Sequence, residues 1–146
     1  MQLIFFGIYL FLAVFNAGNM TTLQVQHYGI YPFVGKENFK AYMHANNKAA
    51  FFPSILPALL LLIINIILVF SRPSFVSIEE AVVSLFLNII ALISTFIWQR
   101  KLQGEMADTG YNEEKISFLI STNWIRTFVF ITEAVMAVVI VINAVS

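Results

Sequence analysis

Four stretches of the chain are apolar for long enough to cross a lipid bilayer. The hydrocarbon core is about 30 Å thick and an α-helix rises about 1.5 Å per residue, so a crossing takes roughly 20 mainly apolar residues. Residues 2–20 carry no charge, and residues 51–70 are nearly pure Leu, Ile and Val around Asn65. Residues 78–98 follow the turn Ser71-Arg72-Pro73-Ser74, and residues 116–144 complete the set. So short a turn makes the second and third helices an antiparallel hairpin. The pattern predicts an all-α, integral membrane four-helix bundle, a single domain over residues 1–146 without internal repeats or a linker.

The first stretch reads as a retained helix rather than a cleaved signal, since no Lys or Arg precedes it and a small-residue cleavage pattern is lacking. Residues 21–50 are too many for a simple turn. Within them Lys36-Glu37-Asn38-Phe39-Lys40-Ala41-Tyr42-Met43-His44 has helical character. It is expected to lie at the membrane interface or to extend the second helix, which Pro53 then bends near its start. Glu105 and Asp108, close to Gly110, read as a solvated loop. Lys36, Lys40, Lys48, Arg100, Lys101 and Lys115 fall in the first and third connections, against Arg72 in the second. Basic residues collect on the cytoplasmic side, so both termini are expected outside a cell membrane, by size a bacterial inner membrane.

Composition agrees with this reading. Sixty per cent of the residues are hydrophobic and 11% charged, and the mean hydropathy is +0.84, far more apolar than a soluble domain. A net charge of zero without basic runs excludes a nucleic-acid partner. The absence of cysteine excludes disulfides, thiolate nucleophiles and iron–sulfur clusters. Two histidines, His27 and His44, fit no metal-ligand spacing, so no metal and no cofactor is expected. The partners that remain are the lipid bilayer, a small apolar ligand and further copies of the chain in a homo-oligomer.

Polar side chains within membrane segments are costly, so each needs a protein partner, water or a functional reason. The topology gathers them at one end of the bundle. Asn16 and Asn19 close the first helix, followed by His27 and Tyr28; His44 precedes the second; Asn123, Trp124, Arg126 and Thr127 open the fourth, with Glu133 two turns deeper on the same face. These ten residues are the candidate ligand-binding set, a pocket in the cytoplasmic leaflet where Arg126 and Asn123 meet an anionic or carbonyl group. The plainer alternatives are that Asn and Thr tie helices together, that Arg126 snorkels to the headgroups, and that Trp98 and Trp124 mark the interface.

The strings Trp98-Gln-Arg-Lys-Leu-Gln-Gly-Glu-Met106, Gly110-Tyr111-Asn112 and Thr122-Asn123-Trp124-Ile125-Arg126-Thr127, with His27-Tyr28 and Tyr31-Pro32-Phe33-Val34-Gly35, resemble a family of small bacterial four-helix membrane proteins of unknown function. That family is similar in pattern to the anthrone-oxygenase-like membrane proteins, whose fourth helix opens with Asn-x-x-Arg-Thr. The resemblance spans nearly the whole chain. It implies a four-helix bundle with His27, Tyr28, His44, Asn123, Trp124, Arg126 and Thr127 as the shared polar site, and it supplies no activity. Where such proteins carry further histidines this chain has Asn46, Asn47 and Gln103, and Gly29 replaces a proline; these departures weaken a metal or redox role. Four functions stay open: a binding module for a quinone, polyketide or lipid; a cofactor-independent oxygenase with His44 as base; a structural accessory protein; and a small oligomeric transporter.

Overall fold

The computed structural model describes all 146 residues and is helical nearly throughout. Its elements are α1 (Gln2–Thr22), α2 (Phe39–Ala49), α3 (Leu56–Phe70), α4 (Ile78–Ser94), α5 (Arg100–Thr109) and α6 (Glu113–Val145). Helical turns of other pitch prolong them, so four rods emerge that are long and apolar enough to cross a membrane: Gln2–Phe33, Phe51–Phe70, Ile78–Thr109 and Glu113–Val145. By length and composition the chain is a multi-pass membrane protein. Large apolar side chains such as Phe86, Phe96, Phe128 and Ile63 are exposed on the outer faces, where hydrocarbon rather than water is their natural surrounding.

The rods pack up, down, up and down. α1 lies between α3 and α6, and α4 lies between the same two, so α1 and α4 are diagonal partners, as are α3 and α6. Between the rods lies a core that includes Phe6, Tyr9, Leu12, Leu61, Phe130 and Ala137. At the end away from the α3–α4 turn, α2 packs on α5. There Tyr28, Tyr31, Phe39, Met43, Met106 and Leu119 form a second apolar cluster, a cap over the bundle.

Local chemistry sets the helix ends. At α4, Ser77 Oγ accepts from the Glu80 amide at 3.1 Å while Glu80 accepts from the Ser77 amide at 2.8 Å, a reciprocal cap that satisfies two otherwise free donors. Arg72 bridges the α3–α4 turn by donating to the carbonyls of Val69 and Val76. α6 starts at Glu113, ahead of the expected residue 116, because Asn112 accepts from the Lys115 amide at 2.8 Å and caps a polar first turn. Hydropathy cannot see such a turn. For the same reason Glu105 and Asp108, expected in a loop, lie in α5, which ends where Gly110 adopts φ 90°. Lys115 pairs with Glu105 at 2.8 Å across this connection. The helical character expected around Lys36–His44 appears as α2, which leads through Ala50 into the second rod.

Candidate functional site

Three of the four rods change pitch at one level. The amides of Tyr28, Leu56 and Arg100 donate five residues back, to the carbonyls of Leu23, Phe51 and Thr95, closing π-turns at Leu23–His27, Phe51–Ile55 and Thr95–Gln99. Such turns widen a helix and leave backbone groups with altered partners; they occur frequently at functional sites. Here each of the three contributes to the wall of one cavity.

The second π-turn has a local cause. Pro57 has no amide hydrogen, so the Pro53 carbonyl lacks its usual donor four residues on. Asn19 supplies it from α1, donating Nδ2 to the Pro53 oxygen at 2.7 Å. Asn16 donates likewise to the oxygens of Leu12 (2.8 Å) and Pro57 (3.3 Å). Both asparagines therefore hold α1 to a proline-bent rod, and neither lines the cavity.

Arg126 is the centre of the site. It comes from α6 and is 6% exposed. Its Nε donates to Asn123 Oδ1 at 2.8 Å and its Nη2 to the same oxygen. Nη1 donates to Thr95 Oγ1 at 3.2 Å, and Nη2 also to the Tyr28 hydroxyl at 3.1 Å. No carboxylate is among its partners, so a buried guanidinium is held by three neutral oxygens. Behind it, Asn123 Nδ2 donates to Gln24 Oε1 at 2.7 Å and Gln24 Nε2 to the Ile120 carbonyl at 3.1 Å. These bonds fix the orientation of Arg126 from α6 and from the π-turn that prolongs α1.

On the cap side, Gln103 Nε2 donates to the Tyr28 hydroxyl at 3.1 Å, and His27 Nε2 lies 2.9 Å from Asn46 Oδ1. An amide oxygen only accepts, so this contact assigns the hydrogen to Nε2. The Tyr42 phenol, in the cap and beyond the membrane rods, is raised above its ordinary pKa by burial and by neighbouring Tyr28.

Two chambers meet at Arg126. The smaller, about 40 Å³, is polar and includes His27, Tyr28, Asn46, Gln99 and Gln103 in its wall. The larger, about 240 Å³, is mostly apolar, with Met20, Leu59, Leu92, Phe96 and Phe130 among its walls. Ser54, Ile55, Thr95, Arg100 and Arg126 line both. The larger chamber exceeds the roughly 150 Å³ cavity that accepts a benzene ring.

Of the residues expected to share one pocket, the structure brings together His27, Tyr28, Asn123 and Arg126. His44 is exposed on α2 and does not line the cavity, because the buried face of that helix is taken by Phe39 and Met43. The two histidines therefore do not share this cavity, and His44, considered above as a base, stands away from its wall. Trp124 is exposed and stacks on Phe128 along the lipid face. Thr127 is buried but donates to the Asn123 carbonyl of its own helix at 3.2 Å. Glu133 faces the bundle interior as expected, yet in a separate layer, where it accepts from Asn65 at 2.7 Å.

Thr95, Ser54, Arg100 and Gln103 are wall residues that sequence reasoning left out of the site. Asn46 and Gln103, noted only as departures from a family pattern, both stand in the polar wall beside His27. Comparison of the chain with protein-family models, curated proteins and solved structures returned no match.

Proposed function

We propose that the double chamber binds a small amphiphile, whose planar oxygen-bearing head meets Arg126 and whose apolar body fills the larger chamber. The observation that carries this reading is Arg126 itself: a buried guanidinium with only neutral partners, set where a polar cavity joins an apolar one. A buried cation without a counter-charge is unfavourable. A carboxylate or carbonyl arriving there gains charge-assisted hydrogen bonds, bidentate in the best case. Arg100, at the mouth of both chambers, adds a second positive charge for an anionic head. A quinone or polyketide offers its carbonyl oxygens to the same donors, and a lipid acid its carboxylate.

The orientation that goes with this reading places both termini outside a bacterial inner membrane and the cavity in the cytoplasmic leaflet. Lys36, Lys40, Lys48, Arg100, Lys101 and Lys115 at the capped end support it, against Arg72 at the other. Resemblance to anthrone-oxygenase-like proteins raises an enzymatic form of the proposal, in which the base beside the ligand is His27 rather than His44.

The test is native mass spectrometry of protein gently extracted from its own membrane, with identification of what co-purifies. An amphiphile in one-to-one amount is expected, lost in Arg126→Ala and also in Arg126→Lys, which keeps the charge but not the planar donor pair. Ala58→Phe, which fills the apolar chamber, should select a smaller body. Folded wild-type protein without a ligand, or a ligand retained by Arg126→Ala, would defeat the proposal in favour of a purely structural cluster.

A further inference from the structure

The centre of the bundle holds a second polar layer, apart from the cavity. Tyr9 on α1 shares a 2.8 Å hydrogen bond with Ser84 Oγ on α4. Asn65 on α3 donates Nδ2 to Glu133 Oε1 on α6 at 2.7 Å. Each bond joins diagonal helices, so both cross the bundle axis. The Asn65 amide also lies 3.5 Å from the Ser84 carbonyl, which puts the two crossings at adjoining levels.

Asn88 belongs to the same layer. Arg126 reaches Thr95 across the antiparallel α4–α6 pair. Stepping two turns back along α4 and two forward along α6 brings Asn88 level with Glu133, each on the buried face. The rise from Ile78 to Asn88 is about 15 Å, half the thickness of the hydrocarbon core. The layer therefore sits near mid-bilayer.

Its hydrogen bonding is incomplete. Glu133, Asn65 and Asn88 are fully buried. Glu133 Oε2, Asn65 Oδ1 and both polar atoms of Asn88 have no partner. No basic side chain answers the carboxyl group. Arg126 lies about 10 Å away along α6 and donates to Asn123, Thr95 and Tyr28, while Arg72 is engaged in the α3–α4 turn.

We propose that Glu133, Asn65 and Asn88 form a binding site for one monovalent alkali cation of the sodium class. The layer leaves three oxygens and one amide donor without partners. A proton on Glu133 would turn one of those oxygens into a donor and serve one acceptor, whereas a cation draws all three together. Hard oxygen ligands without imidazole or thiolate suit an alkali or alkaline-earth ion. A single carboxylate selects the singly charged one, because a divalent ion would leave net charge in the middle of the bilayer. The site stands independently of any ligand at Arg126.

The experiment is thermal unfolding of the whole protein in detergent. Sodium chloride is titrated against choline chloride at constant ionic strength, with isothermal titration calorimetry in parallel. Wild type should gain about 5 °C in a saturable manner. Glu133→Gln should be insensitive to sodium, and Asn88→Ala should weaken the apparent affinity about tenfold or more. If Glu133→Gln does not fold, the Asn88→Ala shift decides alone. A wild-type midpoint indifferent to sodium, potassium and lithium overturns the proposal. So does a sodium response kept unchanged by the folded variants. Cation indifference with a pH response abolished in Glu133→Gln would assign a proton instead.

Discussion

Replacing Arg126 by Met separates an arginine kept for a ligand from one kept for the fold. The methionine stem fills much of the space of the arginine stem, so packing is largely preserved. Three partners lose a donor, but not equally. Thr95 Oγ1 still donates to the Ala91 carbonyl at 2.8 Å, and the Tyr28 hydroxyl still accepts from Gln103. Only Asn123 Oδ1, which accepts from Arg126 alone, becomes a buried orphan, at about 1–3 kcal/mol. Against this stands relief from burying an uncompensated guanidinium. The net loss should stay within about 2 kcal/mol, below the roughly 3–5 kcal/mol that follows when one member of a buried ion pair is removed. Far-UV circular dichroism in mixed micelles, with the fraction of sodium dodecyl sulfate as denaturant, gives the value directly. A loss above about 4 kcal/mol would refute the reasoning and make Arg126 a keystone of the bundle.

Two further variants test the helix ends. Ser77→Ala removes one half of the reciprocal cap at α4 and should cost about 1 kcal/mol in the same unfolding assay; no measurable loss would mean that water replaces the cap. Gly110→Ala forces a side chain into φ 90°, ψ −158°, a region that favours glycine, and should cost about 1–3 kcal/mol. Nothing lies within 4 Å of the added Cβ, so a neutral result would show that the α5–α6 connection relaxes rather than that a clash was avoided.

The four rods were legible because each is a long apolar run, and a run of that length has few other homes than a bilayer. Arg126 and Asn123 were legible as well, since polar residues past the start of an apolar helix stand out. What stayed hidden was the register between rods. Asn16 and Asn19 look like pocket residues until Pro57 is seen to free the carbonyl that Asn19 serves. Glu133 lies on the face of Arg126, yet its partner on the diagonal helix, Asn65, is 68 residues away in sequence and no local pattern announces the pairing. The π-turns leave no mark in the sequence beyond Pro57, four residues after Pro53, although they shape the cavity wall. His44 misleads because two positions along a helix, a rotation of about 200°, separate it from Asn46, which lines the chamber.

Arg126 and Glu133 raise a question of arrangement that their surroundings answer. Opposite charges one turn apart on a helix meet easily and stabilise it. Two turns apart they stand about 10 Å from each other, out of contact, and each is buried among neutral partners. A bundle built only for stability gains nothing from this spacing, because two buried ionisable groups that do not touch lack the compensation of contact. The spacing makes sense if each charge is met by something the chain does not contain. At Arg126, the chambers on either side supply the room, and the wall supplies both water-like and oil-like surroundings. Glu133 lines neither chamber; around it stand a few oxygens without partners, the setting proposed above for an ion rather than a molecule. On the two proposals made above, these side chains divide the interior by size, with an organic ligand expected near the membrane surface and a single cation at its centre.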